Sequence, residues 1–250
     1  MVSLIIGLAS GVFGGLVGLG GGVIMIPLMV QFLGLGQHKA HGTSLVALVF
    51  TGLAGTFTYA RSGSMDVIAA ILIAVSAVFT ARWGARFANS LPEWKLKRSF
   101  GGFLLLVSVI MLLKPYITHG DAAVTGVLKG AVLIITGVFT GFLSGMMGVG
   151  GGTIMVPAMV LVLGFGQHLA QGVSLLAMVP AGSVGAYTHW KLGNVQIGLL
   201  AGLIPGIIIG TYSGATLARY LQDGTLRVVF AIVLVWTGIK YLRTRKPQAT

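Results

Sequence analysis

Between Gly130 and Trp190 the chain runs for 61 residues without one Asp, Glu, Lys or Arg, and residues 1–38 and 192–218 are equally free of them. A soluble domain carries roughly a quarter charged residues, whereas only 8% of this chain is charged. One membrane-spanning helix needs only ~20 apolar residues, so these runs together hold several passes. The fold expected is an all-α integral membrane protein. The net charge of +12 does not point to nucleic acid, because the bases sit at the ends of apolar segments, as cytoplasmic loops of membrane proteins do. The absence of cysteine excludes disulfides, thiolate metal sites and cysteine nucleophiles. The N-terminus lacks a basic region before its apolar stretch, which argues against a cleavable signal peptide.

The chain also says the same thing twice. Residues 11–27 read GVFGGLVGLGGGVIMIP and residues 141–157 read GFLSGMMGVGGGTIMVP. With a fixed offset of 130 and no gaps, 22 of the 40 positions from Gly11 to Phe50 are identical in the second copy. Residues 1–120 and 121–250 are therefore read as two pseudo-symmetric repeats of one transmembrane domain. Matched helix breaks in matched halves are a transporter signature, with the site where the breaks meet.

Each repeat divides into four apolar segments, at 2–35, 42–60, 66–88 and 99–117, then at 124–165, 172–190, 195–218 and 226–242. A continuous helix over 2–35 would extend ~51 Å at ~1.5 Å per residue, against a hydrocarbon core of ~30 Å. The glycine clusters at 18–22 and 148–152 predict a break inside each first segment, as glycine is a poor helix interior. Pro27 and Pro157 are expected in the first turn of the helix that follows. Each first segment is thus two half-helices or a re-entrant hairpin, followed by three spanning helices. Arg82, Arg86, Lys95, Lys97 and Arg98, with Lys240, Arg243, Arg245 and Lys246 at the C-terminus, belong on the cytoplasmic side. Crossing the fourth segment puts the Lys114–Lys129 link outside. An odd number of net crossings per repeat is then needed, which inverts one repeat relative to the other. Arg219 and Arg227 fall on the outer side in this scheme.

The chemistry-bearing candidates start with the breaks. Backbone polar groups at membrane depth survive only when buried in protein or lining a cavity, and a helix starting after a break offers free N–H groups to an anion. Gly20, Gly21, Gly22, Gly150, Gly151 and Gly152 are therefore candidate substrate-binding positions, the rival reading being close helix packing. Thr43, Ser44 and Ser174, expected to open the second segments, are either helix caps or donors to an oxyanion. Gln37, His38, Gln167 and His168, expected to end the first segments, are candidates for substrate contact or proton coupling, together with His189, its aligned partner Tyr59, and Arg82. Trp190 and Lys191 are read as an interfacial anchor. Gly202, Gly206, Gly210 and Gly214 repeat every four residues and predict a packing face.

The only acids are Asp66, Glu93, Asp121 and Asp223, all at expected ends or loops. A cation carrier would hide a carboxylate in the membrane. No HExxH helix or intramembrane aspartate pair is present, so neither a metal nor a cofactor nor an enzymatic activity is expected. Backbone N–H groups, hydroxyls, Gln and His suit a small anion. Its expected partners are that anion and the lipid bilayer, with a homo-oligomer open and no nucleic acid.

The doubled Gly-(Leu/Val)-Gly-Gly-Gly-x-Ile-Met-(Ile/Val)-Pro element, the Gly-x-Ser-Leu at 42–45 and 172–175, and Tyr59 followed by Gly63-Ser-Met-Asp66 resemble the TauE/SafE sulfite exporter family. The resemblance covers nearly the whole chain. It implies a bacterial or archaeal inner-membrane permease, multi-pass with a cytoplasmic C-terminus, for sulfite or organosulfonates, drawing on the proton gradient. The family's frequent Ala-Thr-Ser is here Gly42-Thr43-Ser44 and Gly172-Val173-Ser174, so only the first copy keeps the threonine. The rival readings are an anion channel of the same architecture and a permease for another anion such as a carboxylate.

Overall fold

The computed structural model describes residues 1–90, 92, 94–95, 98, 101–102, 104–106, 108–109, 112–113 and 126–244. Segment 99–117 and the Lys114–Lys129 link lie only partly within them, and Glu93, Lys97, Asp121, Arg245 and Lys246 lie outside. The first repeat supplies α1 (Val2–Val17), α2 (Gly22–Leu33), α3 (Gln37–Arg61) and α4 (Val67–Ser90). The second supplies α5 (Gly126–Met147), α6 (Gly152–Leu161), α7 (Gln167–Lys191), α8 (Ile197–Ala218) and α9 (Asp223–Leu242). No strand occurs among the described residues. Six helices, α3, α4, α5, α7, α8 and α9, are long and apolar enough to cross a membrane. The other three have 16, 12 and 10 residues, or about 24, 18 and 15 Å, and fall short of a bilayer core.

Small residues hold the helices together. A Cβ on Gly11 would lie 2.6 Å from the Ile207 carbonyl, and Gly7 and Gly15 meet Leu203 and Thr211 in the same way, so α1 runs parallel along α8. The glycines at 202, 206, 210 and 214 form the facing surface, against Ser3, Leu4, Leu8 and Val12. The packing face expected there is present. Shifted by 130 residues, the same contacts recur, with Gly137, Gly141 and Gly145 of α5 on Ile73, Ala77 and Ala81 of α4. In lipid, association rests on such close van der Waals approach rather than on burial of apolar area. Accordingly α4 buries Ala70, Ile73, Ala77, Ala81 and Ala85 and exposes Ile68, Ile71, Val75, Phe79 and Trp83.

At the centre, α3 lies against α7, with Gly52 on the Leu175 carbonyl and Gly185 3.4 Å from Leu45 Cδ1. Residue numbers rise along one helix as they fall along the other, so these two equivalent helices are antiparallel. On one face, Asp66 accepts from the Ala69 amide at the start of α4 and pairs with Lys129 at 3.1 Å. Burial pushes its carboxyl up, but the Ala69 amide and Lys129 outweigh this and hold it below the usual carboxylate range.

Three boundary expectations are corrected. Gln37 and Gln167, with His38 and His168, open α3 and α7 instead of ending the first segments, because Gly36 and Gly166 are extended and their carbonyls accept from Ala40 and Ala170. Thr43, Ser44 and Ser174 consequently lie inside helices, so the two serines are not N-caps. Pro27 and Pro157 sit at the sixth residue of α2 and α6, past the first turn, since the helices start at Gly22 and Gly152.

Candidate functional site

Each break is built from left-handed glycines. Gly18 (φ 72°) closes α1, its N–H bonding to the Gly14 carbonyl at 2.9 Å, and Gly20 (φ 86°) and Gly21 (φ 81°) complete the turn. Gly148 (φ 62°) and Gly150 (φ 91°) repeat it in the second copy. A side chain in this region costs roughly 1–2 kcal/mol per residue. The chain folds back at both breaks. A Cβ on Gly21 would strike the carbonyl of Ser10, far down α1, and one on Gly151 would strike Thr140 Cγ2.

The two breaks touch each other. A Cβ on Gly22 would lie 2.7 Å from the Gly148 carbonyl, and Gly152 abuts the Gly18 carbonyl reciprocally. Leu48 and Met178, themselves equivalent and almost fully buried, fill the space beside Gly20 and Gly150. Residues 17–23 and 144–153 are all buried, so the junction is closed on both sides.

Four helix ends converge here with different fates. The carbonyl ends of α1 and α5 are covered by side-chain donors. Ser174 donates to Gly18 at 3.1 Å, Ser44 shares its proton between Gly148 and the His41 carbonyl of its own helix, and Gln171 Nε2 donates to Leu16 at 3.3 Å. The Tyr59 hydroxyl lies 3.0 Å from the Gly15 carbonyl and 2.8 Å from Gln171 Oε1, one proton for two acceptors. His189 Nε2 lies 3.0 Å from the Gly145 carbonyl, so that nitrogen carries the proton. The amide ends of α2 and α6 have no such cover. Among the described residues, the N–H groups of 19–23 and 149–153 have no hydrogen-bond partner. With the negative ends occupied and the positive ends open, the junction favours an anion.

The remaining candidates fall in different places. Thr43 Oγ1 accepts from the Gln196 amide at 2.9 Å and so ties the α7–α8 turn. His168 Nε2 donates to the Ala218 carbonyl at 2.9 Å. Gln37 lines a cleft of about 240 Å³ with Pro27, Gln31, Lys240 and Thr244, and its buried Oε1 has no partner. Gln167 is buried, His38 is half-buried, and Arg82 is exposed on α4, whereas the breaks are buried. Trp190 is exposed beside Lys191, whose ammonium sits 4.7 Å from the Tyr187 ring, as an interfacial anchor requires. The structure thus joins the six glycines with Ser44, Ser174, Tyr59 and His189, and leaves Thr43, Gln37, His168 and Arg82 outside that group.

Because Ser44 and Ser174 give their protons to break carbonyls, Ser44→Ala and Ser174→Ala leave a buried acceptor unpaired. Each should cost about 1–2 kcal/mol, read as a lower unfolding temperature of the detergent-solubilised protein. Two hydroxyls at the junction escape sequence reasoning. Ser10 and Thr140 are fully buried and lie against the breaks. The signal was their equivalence at the same 130-residue offset, one position before Gly11.

The profile described as "Sulfite exporter TauE/SafE" matches residues 3–241. A probable membrane transporter protein of Bacillus subtilis (strain 168), YunE, is 28% identical, with 97% of each chain covered. A second from the same organism, YdhB, is 23% identical over 97% of this chain and 100% of its own length. A probable membrane transporter protein of the archaeon Methanocaldococcus jannaschii is 26% identical over 94% of this chain and 92% of its own. No solved structure matches the chain.

Proposed function

The chain belongs to the sulfite exporter TauE/SafE family, and on that premise we propose that it is a secondary transporter of small sulfur-containing anions, sulfite or organosulfonates, working by alternating access and driven by the proton gradient. The observation that carries this reading is the junction itself: two amide helix ends without partners, buried together, with the carbonyl ends beside them neutralised by side chains. Gly20, Gly21, Gly22, Gly150, Gly151 and Gly152 form the cradle, and Ser44 and Ser174 hold it in shape. The closed junction corresponds to an occluded state, and opening to either side requires the α1–α2 and α5–α6 hairpins to part. His189, on the Gly145 carbonyl, is the group placed to couple a proton to that movement.

The test is uptake of radiolabelled sulfite into proteoliposomes under an imposed pH gradient, with taurine and sulfoacetate as competitors. Saturable uptake that follows the gradient supports the reading. Uptake of carboxylates but not of sulfur oxyanions would move the substrate elsewhere.

We further propose that the repeats are inverted in the inner membrane, α1–α2 and α5–α6 being re-entrant from opposite faces, with the C-terminus cytoplasmic. The antiparallel packing of α3 on α7 supports this, since both are long enough to span. Arg61 and Lys191 are exposed, equivalent positions at the ends of these helices, and the natural chain has no cysteine. Arg61→Cys should react with a membrane-impermeant maleimide from outside the cell, and Lys191→Cys only after the membrane is opened. Labelling of both from one side would refute the inversion.

A further inference from the structure

We propose that Ser10 and Thr140 are the side-chain ligands of the anion, one hydroxyl from each repeat, completing the cradle made by the amides of residues 20–22 and 150–152. This rests on the anion-site reading above and adds ligands to it. Both residues are fully buried, and neither hydroxyl has a hydrogen-bond partner. That is unusual for this chain. The hydroxyls of Thr58, Ser76, Ser183, Thr188 and Ser213 all fold back onto a carbonyl of their own helix. Ser10 and Thr140 have the same local option and do not take it. Thr56, Thr211 and Thr237 also carry unpartnered hydroxyls, but the equivalents of Thr56 and Thr211 are Ala186 and Ala81, without a hydroxyl.

Their position gives the orphaned groups a purpose. The Ser10 Cβ lies 3.5 Å from where a Cβ on Gly21 would stand, and Thr140 Cγ2 presses on Gly151. The unmatched amides that open α2 and α6 therefore begin beside a residue whose buried hydroxyl is unmatched, once in each repeat. A buried polar group without a partner needs an explanation, and two such groups beside two unpaired helix N-termini have one in common: a ligand that accepts from all of them. Amides only donate, while a hydroxyl can donate or accept. The pair therefore lets the cradle hold a small oxyanion either fully ionised or with one oxygen still protonated. A single anion reached from both repeats must present oxygens in two directions, which a pyramidal or tetrahedral oxyanion does.

The experiment compares the wild type with Ser10→Ala, Thr140→Val and the double variant, and with Ser10→Thr and Thr140→Ser as hydroxyl-retaining controls. Two quantities are read: the half-saturation concentration for radiolabelled sulfite in proteoliposomes, and the unfolding temperature in detergent with and without sulfite. Each lost hydroxyl should raise half-saturation about tenfold, in line with a hydrogen bond to a charged group, and both together about a hundredfold. The unfolding temperature without sulfite should stay level or rise, because no protein hydrogen bond is removed, while the sulfite-induced rise shrinks. The controls should behave as wild type. An unchanged half-saturation in the double variant, with saturable wild-type uptake, would overturn the hydroxyl assignment and leave the transporter reading standing. A large fall in sulfite-free unfolding temperature would also overturn it, by showing the hydroxyls to be structural. Absence of saturable sulfite uptake by the wild type would overturn both.

Discussion

Gly141→Leu should abolish the folded protein. A Cβ at that position already meets the Ala77 carbonyl and the Thr80 hydroxyl and stands 2.5 Å from Ala77 Cα. Two of these are backbone atoms of α4, so no rotamer change relieves the clash and α5 must lift away from its partner. Overpacking of this kind typically costs 1–3 kcal/mol where side chains can shift, and with backbone in the way the loss should exceed about 3 kcal/mol. Gly11→Leu, the equivalent change against Ile207 and Thr211 of α8, should behave the same way. Gly130→Leu in α5 and Gly198→Leu in α8, the partner of α1, are the controls, with nothing within 4 Å of either. Size-exclusion profiles after detergent extraction should show aggregates or no protein for the first pair and monodisperse protein for the second.

Gly22→Ala should stop transport without that collapse. Gly22 is the first residue of α2 and has no positive φ, so its backbone accepts alanine. Its Cβ would stand 2.7 Å from the Gly148 carbonyl and 2.8 Å from that of Val149. The methyl group forces the two breaks apart while leaving each hairpin its own turn. If the anion is held by both breaks at once, sulfite uptake should fall roughly a hundredfold, a rise of about 2.7 kcal/mol in the barrier. Gly34→Ala, at a left-handed glycine (φ 63°) in open space, should lose a little stability and keep its uptake. Equal uptake by Gly22→Ala and wild type would mean that the breaks need not meet.

The residues explain which parts of this were legible in the sequence. The breaks could be read because a left-handed turn at membrane depth has few alternatives to glycine, and the duplicated GGG run marks both. The stripe at Gly202, Gly206, Gly210 and Gly214 could be read because four-residue spacing fixes one helix face. The start of α3 could not. Gln37, His38, Lys39 and His41 are polar and expected at the end of one segment and before the next, whereas extended Gly36 launches a helix straight through them. That shift of about two turns moved Ser44 from a presumed cap to the helix interior, where its hydroxyl reaches a carbonyl 104 residues away as well as one in its own helix. Neither could Ser10 and Thr140 be singled out, because a hydroxyl in an apolar helix usually bonds its own backbone. Only the structure shows that these two do not. Tyr59 stands out in the sequence as the aligned partner of His189. It is fully buried on the end of α1, a long-range contact that no local pattern encodes.

The measurement that tests the account most directly is the location of a bound anion by anomalous scattering, in crystals grown with selenite, the heavier congener of sulfite. The account predicts one selenium peak between the two breaks, within hydrogen-bonding distance of amides in 20–22 and 150–152 and of the Ser10 and Thr140 hydroxyls. A peak at the Gln37–Lys240 cleft instead, from protein that still transports sulfite, would contradict it.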